Sequence, residues 1–368
     1  MKKLNKFFAV LVALAMMATL AVTSAFAADP VPEGTADTAK LVKALDLDDG
    51  VVANDSLVFN FTFTNEADAT DVIATSIPYT DMTNNIGTKA ISAIFANYTF
   101  PAAGEYIFDV AETAATHATW DADNETITED TATYKVHLYV KNTDNGLAID
   151  KVTVEDAQGN KVDPTDVDPT DGTKGFSFTN VYTKELVDDD DTDNSGLIDV
   201  TKTVSGDYGD KTFEFSFELN YELPDNDPNA VVKYKVLEDG TGEATATEQT
   251  ATGGKIAVTL KHGDKLIITQ APQGLKWDTE ELWTTAATTG LQNADKYQTT
   301  ANGTEGRTTA QAVLSTTGAA AYVNTLENDD ITPTGILMNN LPYIALALIA
   351  IGGLVAYVVV RRRNTDEA

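Results

Sequence analysis

Apolar residues recur at every second position over many short stretches of this 368-residue chain. Leu57, Phe59, Phe61 and Phe63 alternate with Val58, Asn60, Thr62 and Thr64. Tyr134, Val136, Leu138 and Val140 form a second run, Phe213, Phe215, Phe217 and Leu219 a third, and Ile256, Val258 and Leu260 a fourth. A period of two puts one set of side chains on a buried face and the other in water, as in a strand covered on one side. Turn-forming pieces such as Asp144-Asn145-Gly146, Gln158-Gly159-Asn160 and His262-Gly263-Asp264 separate the runs. Outside the two termini no long segment keeps a helical period. Many short strands joined by polar turns predict an all-β fold of two tandem immunoglobulin-like β-sandwich domains.

The expected domains cover residues 28–185 and 197–330, with an acidic linker at 186–196. Asp188 to Asp191 and Asp193-Asn194-Ser195-Gly196 are too polar to build a core. Asp191, Asp193, Ser195, Gly196 and Ile198 also match the first nine positions of an EF-hand loop, but Lys202 falls where that loop needs a bidentate glutamate. Strand-like alternation continues from Ile198, so no metal is expected here.

The two ends are apolar without alternation. Lys2, Lys3 and Lys6 precede the apolar segment Phe7 to Val22, and Ala25-Phe26-Ala27 supplies small residues for a signal peptidase. Residues 1–27 are expected to be a signal peptide cut between Ala27 and Ala28. Near the other end, Leu341 to Val360 is long enough to cross a bilayer within an expected transmembrane segment at 336–360. Arg361, Arg362 and Arg363 open a basic tail, 361–368, expected to stay cytoplasmic. A plain membrane anchor would fit the apolar run and the arginines equally well. Ile331-Thr332-Pro333-Thr334-Gly335, just outside the membrane edge, sets this end apart. The order resembles the sorting signal of Gram-positive surface proteins, which a sortase cuts between Thr and Gly. In the usual Leu-Pro-x-Thr-Gly form, Leu and Pro stand where this chain has Ile331 and Thr332.

Export and trimming would leave 334 − 27 = 307 residues. Removing six basic and two acidic terminal residues from 25 and 56 leaves 19 Lys+Arg against 54 Asp+Glu, a net charge of −35. Such a surface argues against nucleic acid as a partner. Cysteine is absent, so the usual zinc spacings are not available and stability has to come from something other than disulfides. His117, His137 and His262 are scattered, and no cofactor site is expected.

A lysine, a glutamate and an asparagine recur in the same order in both halves, each on an apolar strand face. In the first half, Lys43 lies between Leu41 and Leu45, Glu112 ends the run Tyr106, Phe108, Val110, and Asn180 follows Phe176 and Phe178. In the second, Lys202 shares a face with Ile198, Val200 and Val204, Glu281 follows Trp277 and Thr279, and Asn324 follows Tyr322. Glu280 adjoins Glu281, so a register shift of one would exchange them. Burial favours the neutral amine of lysine and the neutral acid of glutamate. A neutral amine is a nucleophile and a side-chain amide an electrophile, while a protonated glutamic acid can hydrogen-bond the amide oxygen and shuttle the proton. Attack on the amide carbon with loss of ammonia would leave a Lys–Asn isopeptide bond.

These residues resemble the isopeptide-linkage domains of streptococcal T-antigen-type major pilins, from about Leu41 to Glu327. That family also has an altered sorting signal that keeps Pro-Thr-Gly, as in Pro333-Thr334-Gly335. The resemblance implies bonds Lys43–Asn180 and Lys202–Asn324, with Glu112 and Glu281 (or Glu280) as proton shuttles. It further implies a shaft subunit of a surface pilus. A class C-type or housekeeping sortase would join Thr334 to a lysine of another copy of the chain, or finally to peptidoglycan. Lys174 is the favoured acceptor; Lys161 and Lys141 are alternatives. The competing expectation is a monomeric, wall-anchored adhesin or minor pilin with a host surface ligand. No turnover enzyme is expected, since the triads act once, on themselves.

Overall fold

The structure is a computed structural model that describes residues 32–168, 175–282 and 296–327. It is all-β, and helix among these residues is limited to the turn Ile91–Ile94 and a few short 3-10 turns. The chain divides into two compact units after Leu186. The first also takes in Leu223–Ala230 and Pro272–Leu275; the second comprises Val187–Glu222, Val231–Ala271 and the residues from Lys276 onward. The expected signal peptide, with Ala27 and Ala28, and everything from residue 328 onward lie outside the described residues.

The first unit holds β1 (Lys40–Asp46), β2 (Val58–Asn65), β3 (Val72–Pro78), β4 (Ile86–Ala90), β5 (Gly104–Thr116), β6 (Glu125–Thr128), β7 (Thr133–Thr143), β8 (Gly146–Asp156), β9 (Lys161–Val162) and β10 (Ser177–Val187). One sheet runs β3-β2-β5-β7-β8-β9, antiparallel throughout. The other runs β4-β1-β10-β6. Phe59, Phe61, Phe63, Phe108, Val110, Val136 and Leu138 line the inner face of the first sheet, and Leu41, Leu45, Phe176, Phe178 and Tyr182 that of the second. Ring contacts join the layers: Phe61 lies 5.3 Å from Phe178, and Tyr134 lies 5.2 Å from both Phe176 and Phe178.

The pairing of β1 with β10 is parallel, Lys43 facing Phe178 and Leu45 facing Asn180. Parallel neighbours need a long crossover between them. Here the crossover includes every strand of the six-stranded sheet, so the first and last strands of the unit end up side by side.

The second unit repeats the plan with β11 (Ile198–Ser205), β12 (Phe215–Glu222), β13 (Lys233–Leu237), β14 (Gln249–Thr250), β15 (Lys255–Leu260), β16 (Lys265–Pro272), β17 (Lys276–Glu281), β18 (Gln298–Ala301), β19 (Thr304–Glu305), β20 (Ala312–Val313) and β21 (Gly318–Thr325). One sheet runs β15-β12-β17-β20, the other β19-β18-β21-β11-β16 with β13 and β14 beyond. The first strand, β11, again runs parallel to the last, β21, with Lys202 facing Tyr322 and Val204 facing Asn324. Phe217 and Tyr322 meet across the layers at 5.0 Å.

The acidic stretch before β11 is bonded to the second unit. Asp188 N–H donates to the Thr269 carbonyl at 2.8 Å, Lys235 pairs with Asp191 at 2.6 Å, and Lys265 donates to the Asn194 carbonyl at 2.6 Å. At the other end of β11, Gly206 has φ +88, and a Cβ there would sit 2.3 Å from the Leu326 carbonyl oxygen. Backbone strain and that clash together should make Gly206→Ala cost about 2–4 kcal/mol. Thermal unfolding of the variant should show a lowered midpoint for the second unit.

Candidate functional site

Each unit buries one lysine, one glutamate and one asparagine between its sheets. In the first, β1 points Lys43 inward between Leu41 and Leu45, β5 brings in Glu112, and β10 brings in Asn180. Lys43 Nζ donates to Glu112 Oε2 at 2.8 Å, and Asn180 Nδ2 donates to Glu112 Oε1 at 2.8 Å. Lys43 and Asn180 are wholly buried, and the Glu112 side chain is 1% exposed. The Lys43 ammonium lies 4.9 Å from the centroid of the Phe59 ring. Asn180 Oδ1 accepts the Asp130 backbone N–H at 2.8 Å. That donor is held in place by the Asp130 carboxylate, which accepts N–H bonds from Ala132 and Thr179 at 2.8 and 2.7 Å.

The second triad has the same arrangement. Lys202 Nζ donates to Glu281 Oε2 at 2.7 Å, and Asn324 Nδ2 to Glu281 Oε1 at 2.8 Å. Lys202 lies over the Phe215 ring at 3.8 Å. Trp277, Thr279 and Glu281 are buried along β17, whereas Glu280, the alternative weighed from sequence, lies opposite Glu218 on the other face. Thr279, where the first triad has Val110, places its hydroxyl 2.8 Å from that of Tyr322.

Two things differ. Arg307 Nη1 donates to Glu281 Oε1 at 3.0 Å, the oxygen that also accepts from Asn324. Asn324 Oδ1 is buried without a hydrogen bond among the described residues. Sequence reasoning missed both Asp130 and Arg307. A backbone donor has no side-chain signature, but Arg307 had a signal: it is the only arginine outside Arg361–Arg363.

Burial sets the electrostatics. It pushes the Lys43 amine down to about 8, against the pull of Glu112, and pushes the Glu112 carboxyl up, against the pull of Lys43. Burial likewise pushes Lys202 down to about 8, opposed by Glu281 and reinforced by the positive charge of Arg307. Each lysine is thereby brought closer to its nucleophilic form. In each unit one carboxyl group touches both the lysine amine and the asparagine amide nitrogen. The expectation that the glutamate would hold the amide oxygen is corrected for the first triad. There the oxygen faces Asp130 N–H, a donor placed where negative charge would develop on attack, and Glu112 faces the nitrogen.

Among the intermolecular candidates, Lys141 is exposed and pairs with Asp150 at 2.5 Å, and Lys161 pairs with Glu155. Lys174 lies outside the described residues, as do Ile331, Thr332, Pro333, Thr334 and Gly335. His137 sits 2.8 Å from Glu105, His262 Nδ1 accepts the Val204 N–H at 3.0 Å, and His117 stacks on Trp120. No group of three or more His, Cys, Asp or Glu among the described residues has an arrangement suited to a metal ion.

Residues 39–183 match the family described as Spy0128-like isopeptide containing domain, and residues 196–326 match one described as a domain of unknown function, DUF7601. A curated pilin of Streptococcus pyogenes serotype M1 is 26% identical over 369 residues, 93% of this chain and 97% of that protein. Along most of its length the chain is similar to a pilin. The pilus tip adhesin Cpa of Streptococcus pyogenes is 31% identical over 137 residues, 37% of this chain and 17% of the adhesin. A crystal structure of the major pilin from Streptococcus pyogenes aligns over 78% of this chain and 98% of its own at 18% identity, with a TM-score of 0.32. The first matched segment spans Lys43, Glu112 and Asn180, and the second spans Lys202, Glu281 and Asn324.

Proposed function

We propose that the chain is a structural subunit of a sortase-assembled surface pilus, strengthened by two self-made Lys–Asn bonds within tandem immunoglobulin-like domains. The observation that supports this most is the duplicated buried triad in a chain similar to a pilin. In the first unit the ammonium of Lys43 gives a proton to Glu112, and the resulting amine attacks Asn180 Cγ. Charge on Oδ1 is met by Asp130 N–H, and the amide nitrogen leaves as ammonia after taking protons relayed through Glu112. The balance is one new C–N bond, one broken C–N bond and one expelled ammonia per triad. The event happens once, so the chain is a substrate of its own chemistry and not a turnover enzyme.

In this reading residues 1–27 direct export and 336–360 hold the chain transiently in the membrane. A sortase then cuts between Thr334 and Gly335. Thr334 passes to a lysine of another copy, Lys174 in preference to Lys161 or Lys141, and the finished polymer is anchored to peptidoglycan. Intact-mass spectrometry of the folded extracellular chain tests the internal bonds: two closures should lower the mass by about 34 Da from the sequence value. The full sequence mass would sink the idea, and half the deficit would restrict it to one unit.

A further inference from the structure

The two triads differ in charge. Lys43 and Glu112 form a neutral pair, and the next charged groups acting on them are Glu129 and Asp130. Around Glu281 there are two cations, Lys202 from β11 and Arg307 from the segment that follows β19. β21 contributes Asn324 and the neutral hydroxyl of Tyr322, and β12 contributes the Phe215 and Phe217 rings. Asp278 and Glu280 point to the opposite face of β17. Arg307 is held there by its own backbone as well: its carbonyl accepts the Glu281 N–H at 2.8 Å, and Thr309 N–H next along donates to the Thr279 carbonyl at 2.9 Å. The guanidinium is therefore fixed beside the carboxylate whatever happens to Lys202.

Closure removes one cation from each site, and the two sites then diverge. In the first, an ammonium, a carboxylate and an amide become an isopeptide, ammonia and a protonated Glu112; five N-bound hydrogens enter, one goes to the carboxyl, one stays on the new amide and three leave on ammonia. In the second, the same five hydrogens end as one on the new amide and four on departing ammonium. Resting on the cross-linking reading above, we propose that Arg307 is a positioning residue that remains as the buried counter-ion of Glu281 after Lys202 and Asn324 have joined, while Glu112 ends as a neutral acid. A buried carboxylate left without a cation is strongly disfavoured, and in the first site a proton is the only remedy the described residues offer. In the second, Arg307 keeps the carboxylate charged and aimed at the cross-link.

The test reads the two glutamates separately. The extracellular chain is labelled at its glutamate carboxyl carbons, and the resonances of Glu112 and Glu281 are assigned from the Glu112→Gln and Glu281→Gln variants. At neutral pH Glu112 should resonate as the acid and Glu281 as the carboxylate. Arg307→Gln should keep the second mass deficit of about 17 Da but move the Glu281 signal to the acid position. Arg307→Lys, which retains a cation, should preserve the carboxylate signal. A Glu281 acid signal in the parent protein overturns the inference even if Arg307→Gln does not fold, as does a carboxylate signal that survives in Arg307→Gln. Absence of the second mass deficit in the parent is a separate result, which removes the cross-linking reading and this inference with it.

Discussion

Glu112→Ala in the extracellular chain is expected to halve the ammonia deficit, leaving the second unit closed and the first open. The two triads lie in separate cores, so the loss should not spread. Two effects then add in the first unit. Lys43 and Asn180 lie 180 − 43 = 137 residues apart, and losing a link across such a span releases about 5 kcal/mol of chain-entropy restriction on the model used for disulfides. Lys43 also loses its buried anion, which costs about 3–5 kcal/mol when the amine stays charged. Because its amine already lies near 8, part of that is relieved by release of the proton. The sum is comparable with the whole stability of a domain, about 5–15 kcal/mol. Protease should therefore cut the first unit while sparing the second, and calorimetry should show one transition moved down and one unchanged. Glu112→Gln, which keeps a hydrogen-bonding side chain but cannot shuttle a proton, should block closure with less damage to the core. An unchanged mass deficit in either variant would remove Glu112 from the reaction.

Deleting Pro333-Thr334-Gly335 is expected to abolish the ladder of covalent multimers in a cell-wall extract while both internal bonds still form. The triads use none of the atoms of Pro333, Thr334 or Gly335, so assembly and internal closure are separable. Lys174→Ala should also stop polymerisation and leave folding intact. Immunoblots report the ladder, and peptide mapping of the fibre identifies the join. A link from Thr334 to Lys161 or Lys141 would move the acceptor and keep the polymer. Thr334 found only on peptidoglycan would replace the shaft subunit with a monomeric surface protein.

The alternation of period two made much of this legible. It assigned the all-β class, and it placed Lys43, Lys202, Asn180 and Asn324 on faces that have to be buried, because each is two residues from an apolar neighbour on the same face. Glu112 was readable for the same reason. Glu281 was readable only to within one position, since Glu280 is equally acidic and Thr279 does not look like a core residue until its hydroxyl meets Tyr322. Asp130 and Arg307 escaped because they act from irregular segments, where no period sets direction. The stretch from Asp188 to Asn194 reads as a spacer from composition. Its contacts come from Thr269, Lys235 and Lys265, residues distant in sequence whose approach depends on the tertiary fold.

The parallel pairing of first and last strands bears on what happens when a fibre is pulled. β11 enters the second unit and β21 leaves it side by side in the same direction. A load applied at the two ends of the unit pulls these neighbours past one another in shear, so their ladder bonds are strained together and not opened one at a time. With Lys202 joined to Asn324, the load passes from one strand to the other through the new amide. The intervening residues 203–323, 324 − 202 − 1 = 121 of them, are then outside the force path. Without that bond the same residues could unravel to about 400 Å of slack at full extension.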